Sequence, residues 1–354
     1  MLYQTENQHG GDVYGGGITL DFSANTNPLG TPPGVLEAVC RALPQLHRYP
    51  DPYCRRLVQA IAGHEQVPAS YILCGNGAAD LIYTYCAALR PRTAVELAPT
   101  FVEYGAGLAQ VGCRVERYFL HQAQNFDLDE RFLSFLEEKK PEVVFLCNPN
   151  NPTGRLISLP LLDQILQYCA AQGARLFLDE CFLDLTEDGV SAKSLLAAHP
   201  ELLILKAFTK SYGMAGIRLG YCLCADNALL RRMAAASPPW NVSTPAQSAG
   251  VAALAERDFL QRTLSLVRTE RRWLTDNLTA LGFWVCPSHA NYLLFRGPLG
   301  LREGLLQQGI AIRGCGNYNG LGDGWYRIAV RPHGENEALI TAIRQFCKEK
   351  ALWQ

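Results

Sequence analysis

The chain has 354 residues, 48% apolar and 18% charged, with 32 basic residues against 33 acidic ones and a net charge of −1. That composition is globular, long enough for one large or two medium domains around a sizeable core. Balanced charge without a block of one sign argues against a nucleic-acid partner, and no apolar run reaches the ~20 residues of a membrane span.

The stretch from Met1 to Gly17 is polar and glycine-rich and lacks the charged start and apolar stretch of a signal peptide. A cytoplasmic protein is expected. Further along, short β-like runs alternate with helical ones. Tyr71–Cys74 reads as a strand and Gly77–Leu89 as an apolar helix. Strands follow at Thr93–Ala98, Glu142–Cys147, Ala174–Leu178, Leu202–Ala207 and Leu219–Cys224. Strands separated by helical stretches predict a mostly parallel sheet covered on both faces, with its ligand site at the C-terminal strand ends. After Pro238-Pro239-Trp240 the pattern changes. One long helical stretch is predicted from about Pro245 to Leu281, short strands near Asn291–Arg296 and Trp325–Val330, and a last helix from about Glu335 to Lys350. The thirteen cysteines are scattered, several in apolar runs, and read as reduced core thiols. Cys222-x-Cys224 has a strand's alternation and no second pair at zinc-site spacing, so neither a metal site nor a disulfide is expected.

Four motifs fall at predicted strand ends. Cys74-Gly75-Asn76-Gly77-Ala78-Ala79-Asp80 joins a strand to a helix. Glycine allows close backbone approach and a helix N-terminus offers free N–H groups to an anion, although an ordinary Asn-Gly turn has the same sequence. In Asn148-Pro149-Asn150-Asn151-Pro152-Thr153-Gly154, two X-Pro steps fix an extended turn, stiff enough for an asparagine to donate to a phenolate. Asp179-Glu180 closes an apolar strand. A carboxylate there can hold a protonated pyridine nitrogen, or simply cap a helix. Phe208-Thr209-Lys210-Ser211 places a lysine at a sheet mouth, with Arg218 eight residues on. A desolvated lysine is a nucleophile for an aldehyde, and an arginine with a hydroxyl can hold a phosphate. Alone, that pattern also fits a solvated cation pair.

In this order, the motifs resemble the fold-type I pyridoxal-5′-phosphate (PLP) enzymes of the class I/II aminotransferase superfamily, over nearly the whole chain. The resemblance implies an aspartate aminotransferase-like α/β fold, with a mostly parallel seven-stranded sheet flanked by helices. It implies an N-terminal arm and part of a small domain over residues 1–45, a large PLP-binding domain over 46–238, and a small C-terminal α/β domain over 239–354. Lys210 would be the Schiff-base lysine, Asp179 the partner of the pyridinium and Asn151 the donor to O3′. The N–H groups of Ala78 and Ala79, with Thr209 and Arg218, would hold the cofactor phosphate. Phe101 matches the aromatic that stacks on the ring, although core packing would explain it nearly as well. Tyr49, in Arg48-Tyr49-Pro50-Asp51, matches a tyrosine that reaches the neighbouring subunit's cofactor phosphate, which implies a homodimer. Trp325-Tyr326-Arg327 matches the segment whose arginine grips the substrate α-carboxylate, with Arg331 as a surface cation.

Within the superfamily, the subgroup it most resembles contains histidinol-phosphate aminotransferases and the threonine-phosphate decarboxylases of cobalamin biosynthesis. Three features lean to the decarboxylases: His9-Gly10-Gly11, the segment Asp21–Gly30, and Phe182 where the aminotransferases usually carry tyrosine. Tyr318 lies in a further segment of that kind. The resemblance then implies a phosphorylated amino-acid substrate. Its phosphate ester would lie among His9, the Gly10 backbone, Asn25 and Arg313, and its carboxylate at Asn151 and Arg327. The alternatives are an aminotransferase, a serine-phosphate decarboxylase, and a binding module without turnover. Lys210 and Asp179 speak against the last.

Overall fold

The computed structural model describes residues 9–350. Its first strand, β1 (Leu20–Asp21), runs parallel to the short β11 (Ile310–Ala311), so the N-terminal segment joins the C-terminal part of the chain. Between them lies a seven-stranded sheet built from β2 (Ile72–Gly75), β3 (Thr93–Ala98), β4 (Arg114–Phe119), β5 (Val143–Cys147), β6 (Arg175–Asp179), β7 (Leu202–Ala207) and β8 (Gly220–Cys224). Their order is β2-β8-β7-β6-β5-β3-β4, and only β8 runs against the others. β4 is the strand the apolar-run reading passes over. Its sequence Arg-Val-Glu-Arg-Tyr-Phe mixes charged and apolar residues at the sheet's edge, and none of its residues is fully buried.

The interior strands β5, β7 and β8 are buried along their whole length. Their period-2 geometry divides these residues between two cores. Val144, Leu146, Leu176, Leu178, Leu202 and Ile204 face one core. Val143, Phe145, Cys147, Phe177, Leu203 and Leu205 face the other. Asp179, two residues beyond Phe177, therefore points to the second face, and Lys206, two beyond Ile204, to the first.

A smaller antiparallel sheet follows, with order β12 (Arg313–Gly314), β13 (Trp325–Ala329), β10 (Tyr292–Arg296) and β9 (Trp284–Val285). Phe22 packs into its core with Leu293, Phe295 and Ile328. The single long helix expected over Pro245–Leu281 is instead two, Thr244–Leu254 and Phe259–Ala280. The second helix begins on the same core as the first, through Phe259, and ends on that of the small sheet. Ala246, Ala249 and Ala253 pack into the core of the large sheet, whereas Leu274 and Leu278 pack into that of the small one. Among the described residues, no helix is long and apolar enough to cross a membrane. The thirteen cysteines all carry free thiols, and only Cys40 and Cys113 are not buried.

On the first face, Lys206 lies in a buried charged network. Its Nζ donates to Asp184 Oδ1 at 2.9 Å and sits 3.4 Å from Glu65 Oε1. Glu65 also accepts from Tyr221 Oη and Lys193 Nζ. Burial opposes ionisation of Glu65, but Lys206, Tyr221 and Lys193 outweigh it and hold the carboxyl at about 2. Burial likewise works against the Lys206 ammonium, and Asp184, Glu65 and Glu180 overcome it. Lys206→Met leaves two carboxylates short of their cation and is expected to cost about 3–5 kcal/mol, measured by urea unfolding. Glu65 adds an acid limb. Because its pKa is depressed in the folded state, its contribution is present above the ordinary glutamate value and is lost as pH falls towards about 2.

Candidate active site

The C-terminal ends of β2, β3, β5, β6 and β7 share one edge of the sheet, and β8, running the other way, begins there. Arg218 precedes β8 and so reaches the same edge as Lys210, which follows β7. Between this edge and the small sheet lies a cavity of about 230 Å³. Of the residues the sequence points to, all but Tyr49 line it.

At one end, Gly77 leads into the helix Ala78–Leu89 with φ of 87°, and a β-carbon there would lie 2.5 Å from Arg218 Nη2. Only glycine permits both that backbone and that approach. Ala78 and Ala79 open the helix, where backbone N–H groups lack intrahelical partners. Together with Thr209 and Arg218 they make an anion cradle in the cavity wall. Asp80, in the same first turn, is turned away, accepting from Asn76 N and Asn241 Nδ2.

At the floor, Asp179 is buried and held by two donors. Tyr104 Oη donates to Oδ2 at 2.6 Å and Cys181 N to Oδ1 at 2.8 Å. Burial pushes the carboxyl up, and these donors and Lys210 oppose that rise. Lys210 Nζ lies 5.4 Å from the Phe182 ring centroid. Burial, then the charges of Arg327 and Arg218, pull the amine down to about 8. The turn that carries Lys210 is tied from behind: Ser211 Oγ donates to Asp184, the partner of Lys206, and Asn27 Nδ2 donates to the Ser211 carbonyl.

The three asparagines of the Asn-Pro motif have separate tasks. Asn148 accepts from Ile157 N, and Asn150 ties Thr100, Pro99 and Thr153 together. Asn151 alone lines the cavity, where its Oδ1 accepts from Arg327 Nη1. Both X-Pro bonds of the motif are cis.

The opposite wall comes from the small sheet and the N-terminal segment. Arg327 Nη2 donates to the Ser23 carbonyl at 2.8 Å, while its Nε is buried without a partner. Arg313 donates to Asn317 Oδ1 and lies 5.4 Å from the Tyr318 ring centroid. Asn25 is 1% exposed, yet neither its Oδ1 nor its Nδ2 has a hydrogen-bond partner. His9, Gly10 and Phe101 complete this side. Buried polar atoms are rarely left unpaired. Asn25 and Arg327 Nε, in a cavity with Lys210, mark a space built for a polar, anionic ligand.

Tyr49 stands outside. It is 78% exposed and stacks on Trp240 with centroids 4.5 Å apart. Tyr104 and Ser23 are the residues the sequence reading passes over. Tyr104 had a local signal, since its place three residues after Phe101 brings both rings to one side of a helix start. The Ser23 contact is made by a carbonyl and has no side-chain signature.

The geometry fits PLP residue by residue: a nucleophilic amine, a buried carboxylate behind it, an asparagine at the side and an anion cradle at the end. Comparison with known proteins agrees. Residues 18–346 match the family model described as aminotransferase class I and II. Threonine-phosphate decarboxylase of Salmonella typhimurium is 41% identical over 92% of this chain and 90% of its own. A histidinol-phosphate aminotransferase structure from Clostridium acetobutylicum superposes with TM-score 0.87 at 28% identity, covering 93% of this chain and 99% of that one. An L-threonine-O-3-phosphate decarboxylase structure from Porphyromonas gingivalis gives 0.83 at 25% identity, with coverage of 93% and 99%.

Proposed function

The chain belongs to the class I and II aminotransferase family, and on that premise we propose that it is a PLP-dependent decarboxylase of L-threonine O-3-phosphate, acting in the cytoplasm as a homodimer. The observation that carries the reading is the pairing of Lys210 with two unsatisfied polar groups, Asn25 and Arg327 Nε, across one small cavity. They suit a short substrate with an anion at each end. The decarboxylase named above, similar over most of both chains, supports the choice of reaction. So does Phe182, whose ring leaves Asn151 to serve the phenolate without a second hydroxyl.

When bound, PLP supplies an electron sink for the pair left at Cα as CO₂ departs. The residues set up that loss. Lys210, whose amine is pulled down to about 8 by burial, Arg327 and Arg218, would hold the cofactor at its aldehyde carbon, and its ammonium form would carry the proton that replaces the carboxylate at Cα. Asp179, fixed by Tyr104 and Cys181, keeps a proton on the ring nitrogen. Arg327 and Asn151 orient the carboxylate. Arg313, His9, the Gly10 backbone and Asn25 receive the phosphate ester. The products are CO₂ and (R)-1-amino-2-propanol O-2-phosphate.

The test is incubation of the cofactor-loaded enzyme with L-threonine O-3-phosphate and no keto acid. Several equivalents of CO₂ per subunit, with the cofactor still an aldehyde, establish the decarboxylase. Stoichiometric conversion to pyridoxamine phosphate without CO₂ turns the assignment to an aminotransferase.

The dimer is supported by Tyr49 and Trp240, two stacked rings left exposed on the surface. Tyr49 there would serve the neighbour's cofactor phosphate. Tyr49→Ala is expected to weaken PLP binding ~10–100-fold, the worth of one hydrogen bond to a charged group, as read by cofactor titration. A fully active monomer in sedimentation would refute the arrangement.

A further inference from the structure

Lys210 is carried on a single helical turn, Phe208–Ser211. An isolated turn is not stable in water, and the Ser211 carbonyl at its end has no partner within it. The lysine is therefore placed by what the turn is tied to. From one side, Asp184 accepts from the Ser211 hydroxyl at 2.9 Å. From the other comes the N-terminal segment. Asn27 Nδ2 donates to the Ser211 carbonyl at 2.7 Å, and Thr31 Oγ1 donates to the Gly213 carbonyl at 2.8 Å. Gly213 has φ of 62°, and a β-carbon there would stand 2.5 Å from the Gly30 oxygen, so segment and turn meet backbone to backbone. Asn27 is 1% exposed, and its side chain is fully engaged. Its Nδ2 also donates to Thr263 Oγ1 at 2.9 Å, and its Oδ1 accepts from Leu29 N at 2.8 Å.

The same segment serves the substrate side. Asn25, two residues before Asn27, lines the cavity. The carbonyls of Asn25 and Thr26 accept from Asn291 Nδ2 at 3.4 and 3.2 Å, and Asn291 leads into β10 of the small sheet. Three consecutive residues thus reach the substrate pocket, the small sheet and the lysine turn. Without the Asn27 amide, the Ser211 carbonyl loses the donor that the segment gives it, and the turn is free to shift against the cavity. A displacement of ~1 Å at a reacting group costs on the order of 100-fold in rate. We propose that Asn27 is a positioning residue for Lys210, which acts through the Ser211 carbonyl and keeps the amine in register with the segment that carries Asn25. This rests on the assignment above of Lys210 as the lysine that links to PLP.

The experiment adds PLP to the cofactor-free protein and follows growth of the absorbance band of covalently held PLP, in wild type, Asn27→Ala, Thr263→Val and Lys210→Ala, with urea unfolding of each. Asn27→Ala is expected to slow that capture ~10–100-fold, and to lower kcat on L-threonine O-3-phosphate per loaded site by a similar factor. Thr263→Val removes the other acceptor of the same amide and leaves the Ser211 bond. It should cost comparable stability, yet capture PLP and turn over as wild type does, which separates positioning from plain support of the fold. If Asn27→Ala fails to fold, Thr31→Val, which cuts the next bond from the segment to the turn, should slow capture in the same direction by a smaller factor. Capture and kcat per loaded site within about twofold of wild type in Asn27→Ala (or unchanged in Thr31→Val, where that variant is used), or equal losses in Asn27→Ala and Thr263→Val, would overturn the proposal. A band that persists in Lys210→Ala would overturn the lysine assignment, and this inference with it. Failure to release CO₂ from phosphothreonine, with the capture pattern intact, would sink the decarboxylase reading and leave this one standing.

Discussion

Lys210→Ala is expected to lower kcat by ~10⁴-fold or more, because in the proposed mechanism one side chain serves as both nucleophile and proton carrier. The absorbance band of covalently held PLP should vanish with it, while PLP still binds through the cradle of Ala78, Ala79, Thr209 and Arg218. The substitution has a second, separable signature in the cofactor-free protein. Burial and two arginines pull the Lys210 amine down to about 8, against ~10.4 in the unfolded chain. Between those values the unfolded chain binds more protons, so wild-type stability rises with pH. Lys210→Ala lacks this rise. Stability measured at pH 7 and pH 10 should therefore move in favour of wild type at the higher pH, and parallel curves would show that the lysine is not desolvated.

Much of the fold was legible because the chain writes it locally. Most interior strands are apolar runs, and the polar stops after β5 and at the end of β6, Asn148 and Asp179, mark the mouth of the site. What failed had a physical cause. β4 is an edge strand that mixes charged and apolar residues, none of them fully buried, so no apolar run marks it. The break at residues 255–258 was hidden because both flanking segments are helical and no proline or glycine stands between them.

The site shows the same division. Lys210, Asp179, Asn151 and Arg218 sit in short motifs whose residue types carry their chemistry. The contacts that hold them join positions far apart in the chain. Tyr104 and Asp179 are separated by 75 residues and His9 and Glu103 by 94, and only the strand order β6-β5-β3 and the N-terminal segment bring each pair together. The charged network behind Lys210 was equally hidden. Lys206 reads as an isolated cation in an apolar strand until helix Arg55–Glu65 and Asp184 close over it.

Asp179→Asn should separate activity from stability. The carboxylate is fully buried and burial raises its pKa, so its charge is a cost to the folded chain that the donors Tyr104 and Cys181 only partly offset. Asparagine fits the same space. Its oxygen can accept from Cys181 N–H while its amide donates to Tyr104 Oη, whose own proton can turn to Cys147, a neighbour in the same core. No buried group need be orphaned, so the variant should fold as stably as wild type or more so. The sign can be checked against pH. As pH rises through about 4, an aspartate in the unfolded chain ionises before Asp179 does. Wild type therefore loses ground to Asp179→Asn over that rise and regains it only in stronger acid. Catalysis should move the other way, with kcat falling on the order of 10³-fold, because an amide cannot keep a proton on the ring nitrogen. A variant that is both stable and active would remove Asp179 from the mechanism. One that is inactive only because it unfolds would show that the carboxylate is held for structure, with Tyr104 as its partner.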